Sequence, residues 1–256
     1  MTELHRWPAD VARQLAADLA DVAGSVLVAV YLHGSAVLGG WVPDRSDIDV
    51  LIIAADRTTE TDADSMARAI AGFGPDDWPA AWPAPKLETS IVTRSAARGP
   101  GPPWPFLRHV VTGPMMAARV IRPDIGRGDR DLLMHYVACR EAGYAAFGPP
   151  PREVIGPITR SAILTYLADE LSWGLANAPE RYAVLNACRA MVYLTDGAFV
   201  SKIAGGEAAV QRGTGPPDVI ARALAQQRGS QQDQPAATDA IAFVEATVSM
   251  LRADPR

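Results

Sequence analysis

Residues 31–53 read YLHGSAVLGGWVPDRSDIDVLII, and the reading of this stretch decides the fold. An apolar run over 25–32 (SVLVAVYL) is broken by His33, Gly34 and Ser35. A second run, 48–53 (IDVLII), begins beside Asp47. Short apolar runs rich in β-branched residues and bounded by turn formers predict strands. A third run, 87–92 (LETSIV), alternates more and predicts another strand. Helical spacing recurs before the first strand (Ala9, Val11, Leu15, Leu19, Val22) and again over 62–73. This half of the chain is therefore mixed α and β.

The polar residues in these strands carry the chemistry. Side chains two apart on a strand share a face. Asp47 and Asp49 are thus expected side by side, with Ile48 and Val50 turned into the core. Adjacent carboxylates repel, and each raises the other's pKa unless a cation lies between them. Magnesium, a hard ion that takes oxygen ligands and leaves room for phosphate oxygens, fits that need. Gly34 lets backbone N–H groups approach an anion, and Ser35 adds a hydroxyl. A helix starting at Ala36, Val37 and Leu38 would turn its N-terminus towards negative charge. Ser46 offers a second hydroxyl, or else closes a turn before Asp47. Glu88, set in the third strand, is expected to complete a three-carboxylate site as ligand or general base. A nucleotide triphosphate would lie between the Gly34 turn and these carboxylates.

Further along, residues 95–128 are rich in Pro, Gly and Arg, and GPGPPWP (99–105) excludes a regular helix or central strand. A linker or a structured crossing is expected there. From 129 onward the spacing is helical: Leu132 to Arg140, Ile163 to Leu171, Val184 to Val192 with Gly197 as a stop, Ile220 to Leu224, and Ile241 to Leu251. A Gln-rich loop is expected over 228–238. The organisation predicted is an α/β domain over 1–128 and an all-α helical bundle over 129–256.

Composition narrows the function. At 48% apolar and 21% charged the chain is globular rather than disordered. No run reaches the roughly 20 apolar residues of a membrane span. Residues 1–10 are polar, so no secretory leader and a cytoplasmic location are expected. The net charge of −5 and the lack of any Lys/Arg block argue against nucleic acid as partner. A small molecule and a monomeric enzyme are expected instead. Of the 24 basic residues only Lys86 and Lys202 are lysines. Cys139 and Cys188 have no metal or disulfide spacing and are expected as buried thiols.

The spacing Gly34-Ser35, eleven residues, Asp47-Ile48-Asp49 resembles the nucleotidyltransferase superfamily of DNA polymerase β type. LHGSAVLGGWVPDRSDIDVLI, the Glu88 strand and TDGAFVSKIAGGEAA (195–209) together resemble the aminoglycoside O-adenylyltransferases of the streptomycin/spectinomycin group. That resemblance implies transfer of AMP from ATP to a hydroxyl of an aminoglycoside or aminocyclitol. Asp47, Asp49 and Glu88 would hold two Mg²⁺ ions, with Glu88 as the base. Ser35, Ser46 and Lys202 would contact the phosphates. Arg189, in an apolar helical pattern, needs a partner if buried; an interdomain carboxylate and a phosphate both stand open. Trp173 matches a tryptophan used in streptomycin binding, although a helix tryptophan also suits a core. The acidic loop that follows it in streptomycin-modifying members is here Gly174 to Pro179, without the aspartate. Asp169, Glu170 and Glu180 are the carboxylates left to meet an amine. Met115 or Met116 stands where the family has another stacking tryptophan. Spectinomycin is therefore expected over streptomycin. The alternatives are another hydroxyl, on a metabolite or protein, and a regulatory nucleotide-binding module without transfer.

Overall fold

The computed structural model describes residues 6–73, 86–114 and 116–254. The chain forms two compact units, the first closing at Ile158 and the second opening at Thr159. The first contains α1 (Arg6–Ala23), β1 (Leu27–His33), β2 (Ile48–Ala54), α2 (Glu60–Ala71), β3 (Leu87–Thr93), α3 (Arg94–Arg98), β4 (Arg108–Gly113), β5 (Met116–Ile121), α4 (Leu132–Ala142), β6 (Tyr144–Phe147) and α5 (Pro151–Val154). The strands form one sheet in the order β5-β4-β3-β2-β1-β6. Among the described residues only the β2–β3 pairing is parallel, and α2 lies in the connection between these strands.

Period-two alternation gives the sheet two different faces. Val30, Leu32, Ile48, Val50, Ile52, Leu87, Ile91 and Val110 point to one side. There they pack with Leu15 and Leu19 of α1 and with Met66 and Ile70 of α2. Thr59 and Asp62 close a reciprocal capping box that fixes the start of α2. Arg108, only 1% exposed, lies on this side too. It donates through Nε to Asp64 (2.8 Å) and through Nη2 to Glu60 (2.5 Å), which ties α2 to β4. The Arg108 bond holds the Asp64 carboxyl below its usual range. The opposite side of β1 is covered by α4, whose His135 ring centroid lies 4.7 Å from that of His33.

The second unit is all-α: α6 (Arg160–Asn177), α7 (Glu180–Asp196), α8 (Lys202–Arg212), α9 (Pro217–Gln227) and α10 (Thr238–Ala253). Helix α7 touches the other four. It is buried along its length by Ala183, Val184, Leu185, Ala187, Cys188, Ala190 and Val192. Gly197 ends it, as the sequence predicts, and the expected loop lies between α9 and α10.

The α/β class of the first unit and the helical class of the second agree with expectation. Two details differ. The Pro/Gly-rich stretch 95–128 is not only a crossing, because it supplies β4 and β5. The boundary expected after residue 128 falls after Ile158 instead, because α4 packs on β1 and β6 pairs with it. Residues 144–147 (YAAF) are a short segment in which two alanines separate the strand-favouring Tyr144 and Phe147, and their pairing with β1 makes them a strand. Met116 is half-buried in β5, while Met115 lies outside the described residues. Among the described residues no helix is long and apolar enough to cross a membrane.

Arg108→Met keeps the apolar stem and removes the buried fork. It is expected to lower unfolding stability by about 2–3 kcal/mol. Urea denaturation of the full chain measures this as a lower midpoint at unchanged slope.

Candidate active site

The site begins where β1 ends. Gly34 has φ +69°, and a β-carbon there would lie 2.1 Å from Asp49 Oδ2. The missing side chain is therefore what admits the Asp49 carboxylate. Residues Gly34–Ala36 form a single 3₁₀ turn, with Leu38 N donating to Gly34 O at 3.2 Å. The helix expected from Ala36 does not form, so the helix-terminus anion site drawn from it falls away; the turn bends towards Gly39 and Gly40, and Gly40 N donates to Ser35 O. Ser35 is half-buried in this turn. Ser46 is buried, and its Oγ accepts from Val42 N at 2.9 Å, which closes the loop before Asp47.

Strand pairing then gathers the acids. Asp49 pairs with His33 on β1 and with Glu88 on β3. Directly paired residues share a sheet face, so His33, Asp49 and Glu88 form one row across three strands. Asp47 precedes β2, where Ile48 N donates to Lys86 O at 3.0 Å. The Lys86 ammonium lies 3.3 Å from Asp47 Oδ2 and 2.6 Å from Glu88 Oε1. Burial alone would lower its pKa, but the hydrogen bond and charge of Glu88, and then Asp47, outweigh that and raise it. The cation that like-charged neighbours require is thus a side chain that the sequence reading left unassigned. Among the described residues no group of three or more acidic, His or Cys side chains is gathered as a metal cage. The expected three-carboxylate cluster takes the form of two acids on one ammonium, with Asp49 paired directly across from Glu88.

The wall beside the row is neutral. His33 is almost fully buried, and burial, then the proximity of His135, pushes its pKa well down. Burial likewise lowers His135. His33 Nε2 and His135 Nδ1 have no hydrogen-bond partner among the described residues. Burial and the charge of Asp49 push the Cys139 thiol far up, which makes it inert. Cys188 is pushed up to about 12 by burial. Both thiols are buried, as expected.

In the second unit, Lys202 opens α8 behind the Ser201 cap, its ammonium 4.4 Å from the centre of the Tyr182 ring. Arg189 donates through Nε to Val200 O and through Nη1 to Asn186 Oδ1, both at 2.9 Å, and stacks over Phe199. Burial lowers its pKa to about 10, so it stays charged at neutral pH. Gly205 makes room for it, since a β-carbon there would lie 2.9 Å from Arg189 Cγ. Trp173 is 52% exposed and so is not core; its ring meets Tyr182 edge-on at 6.0 Å. Tyr182 donates a short bond to Glu170 Oε1, and Tyr166 donates to Oε2 at 3.4 Å.

The other two expected acceptor carboxylates are placed differently. Glu180 is 1% exposed and bonded by Arg222 (2.6 and 3.1 Å) and by Ala237 N (3.0 Å). It is a structural anchor rather than a contact for an amine, because its oxygens are already satisfied. Asp169 is partly exposed and pairs with Arg252 at 3.6 Å. Glu170 is thus the acid joined through Tyr182 to Trp173.

The chain matches the nucleotidyltransferase domain family over residues 13–77. It matches the C-terminal domain family of aminoglycoside adenylyltransferases over residues 153–253. Spectinomycin 9-adenylyltransferases of Staphylococcus aureus strains Mu50 and N315 are each 27% identical over 201 residues, covering 74% of this chain and 73% of theirs. The crystal structure of spectinomycin adenyltransferase AAD(9) from Enterococcus faecialis with ATP and spectinomycin shares the fold. Its TM-score is 0.66 at 15% identity, over 93% of this chain and 97% of that one.

Gly34→Ala and Gly213→Ala separate backbone strain from the close contact. Gly213 has φ +65° but nothing within 4 Å of an added β-carbon. Gly34→Ala is expected to cost roughly 1–3 kcal/mol more than Gly213→Ala in thermal or urea unfolding, the excess being the overlap with Asp49.

Proposed function

We propose that this chain, which belongs to the aminoglycoside adenylyltransferases, transfers AMP from magnesium-bound ATP to a hydroxyl of an aminocyclitol antibiotic of the spectinomycin class. The observation that carries the reading is the meeting of Asp47 and Glu88 at one cation position, beside the Gly34 turn and the Asp49 row. Two hard oxygen donors directed at a common cation suit magnesium. When bound, magnesium offsets charge on the reacting phosphate and the leaving pyrophosphate.

The chain's own groups divide the remaining work. Asp47 and Asp49 would hold the metal–nucleotide, with Glu88 close enough to share in its binding. Glu88 takes the proton of the attacking hydroxyl as its oxygen bonds to the α-phosphorus and pyrophosphate departs. Ser35 and the hydroxyl proton of Ser46 donate to phosphate oxygens. Lys202 and Arg189 are the cations of the second unit whose chemistry would suit a phosphate.

The acceptor follows from what stands near Trp173. Helix α6 runs unbroken to Asn177, and two residues, Ala178 and Pro179, lead into α7. Such a connection has no space for an acidic loop. The exposed Trp173 ring and Glu170 with its two tyrosines suit a polyhydroxylated acceptor of low positive charge. The names of the similar Staphylococcus and Enterococcus proteins support the same class.

The test is incubation with ATP, Mg²⁺ and a panel of aminoglycosides, aminocyclitols and unrelated polyols, read by mass spectrometry. Spectinomycin is expected to gain one AMP and streptomycin to gain none. Asp47→Asn and Glu88→Gln are expected to reduce turnover by roughly 100-fold or more. Adenylylation of a non-antibiotic hydroxyl alone would move the acceptor to the second class, and no transfer to any acceptor would overturn the reading.

A further inference from the structure

Lys86 is the group at the site that the reaction does not use. Its ammonium touches Asp47 and Glu88 together, at 3.3 and 2.6 Å. Its aim is fixed from the backbone, because Lys86 O accepts from Ile48 N and the next residue, Leu87, pairs with Ile48. Its side chain is nevertheless 33% exposed, so the ammonium has a path to water. The residue type adds to the case. Lys86 is one of two lysines among 24 basic residues. An arginine fork would clamp a carboxylate in two parallel bonds, whereas an ammonium on a four-carbon stem is a point charge that can swing away.

We propose that Lys86 is a resident counter-ion of the carboxylate site, holding Asp47 and Glu88 at the cation position until magnesium arrives with the nucleotide and displaces it. The inference rests on the adenylyl-transfer reading and adds a step to it. While Lys86 is in place, the Glu88 carboxylate is engaged and does not act as proton acceptor. With a divalent ion supplying the charge, Lys86 would withdraw to solvent, and the Glu88 oxygen it had engaged would be open to the acceptor hydroxyl. Lys86 is thus a positioning residue. It keeps two like-charged groups together before loading and ties release of the base to the presence of the metal–nucleotide.

Competition of this kind is measurable without turnover. Mn²⁺ is titrated into the nucleotide-free full chain, and the free ion is followed by electron paramagnetic resonance. Lys86→Met and Lys86→Gln remove the charge at similar length, and circular dichroism checks their fold. Both are expected to bind Mn²⁺ roughly 3- to 30-fold more tightly than the parent, the scale of two partly exposed ion pairs. Lys86→Arg keeps the charge and is expected to bind no more tightly than the parent. Met and Gln variants that bind Mn²⁺ equally or more weakly would overturn the inference. If the parent transfers AMP while those variants show no gain in Mn²⁺ affinity, the counter-ion role alone fails. A gain in affinity without AMP transfer by the parent would instead remove the functional reading.

Discussion

Parallel pairing of β2 with β3 sets Asp49 against Glu88, and the turn into β2 leaves Asp47 at the same corner. Like charges on paired strand positions are destabilising, so the surroundings must offset them. Lys86 does so by charge, meeting Asp47 and Glu88 at once. Gly34 does so by space, leaving the Asp49 carboxylate a place that any other residue would fill. The two devices differ in kind. A glycine is a fixed feature of the fold, whereas an ammonium can be exchanged for another cation. The site is therefore closely packed around Asp49 and balanced by a side-chain charge at Asp47 and Glu88.

The neutral wall makes that charge balance matter more. His33 is in the same strand row as Asp49, and its ring faces His135 rather than a carboxylate partner. Burial keeps both imidazoles uncharged at neutral pH. Charges beside a poorly solvated, neutral surface interact more strongly than in water. The far face of the sheet handles charge differently. There Arg108 is buried for good, with Asp64 and Glu60 tied to it, and its role is to hold α2 on the sheet.

Strands β1 to β3, Gly34, the Asp47/Asp49 pair and Glu88 were legible because each lies within one short window of apolar pattern and turn residues. What lay outside such windows was not. Strand β6 depends on an edge offered by β1, more than a hundred residues earlier in the chain. The Arg222 and Ala237 partners that satisfy Glu180 are 42 and 57 residues away, and no local pattern marks a carboxylate as already occupied. The turn at Gly34–Ala36 looked like a helix start, yet Gly39 and Gly40 follow too closely for an α-helix to extend. Lys86 carried a visible signal, its rarity in an arginine-rich chain. Its partner Asp47, however, comes from a different strand end, so that signal had no address until the β2–β3 register was known.

The second unit applies the same logic to its exposed aromatic face. Tyr182 is the common neighbour there: Trp173 meets its edge, Lys202 lies over its ring, and its hydroxyl is bonded to Glu170. Glu170 also receives Tyr166, so one carboxylate is oriented by two phenols from α6 and α7. Glu170 is thus held by two neutral phenols, and its charge also favours the buried Arg189 guanidinium. Glu180 is the opposite case. Its bonds to Arg222 on α9 and to the loop before α10 complete its hydrogen bonding and fix the start of α7. Burial and partner type thus separate the acid that holds the helices together from the one bonded by phenols on the aromatic face, although both are glutamates ten residues apart.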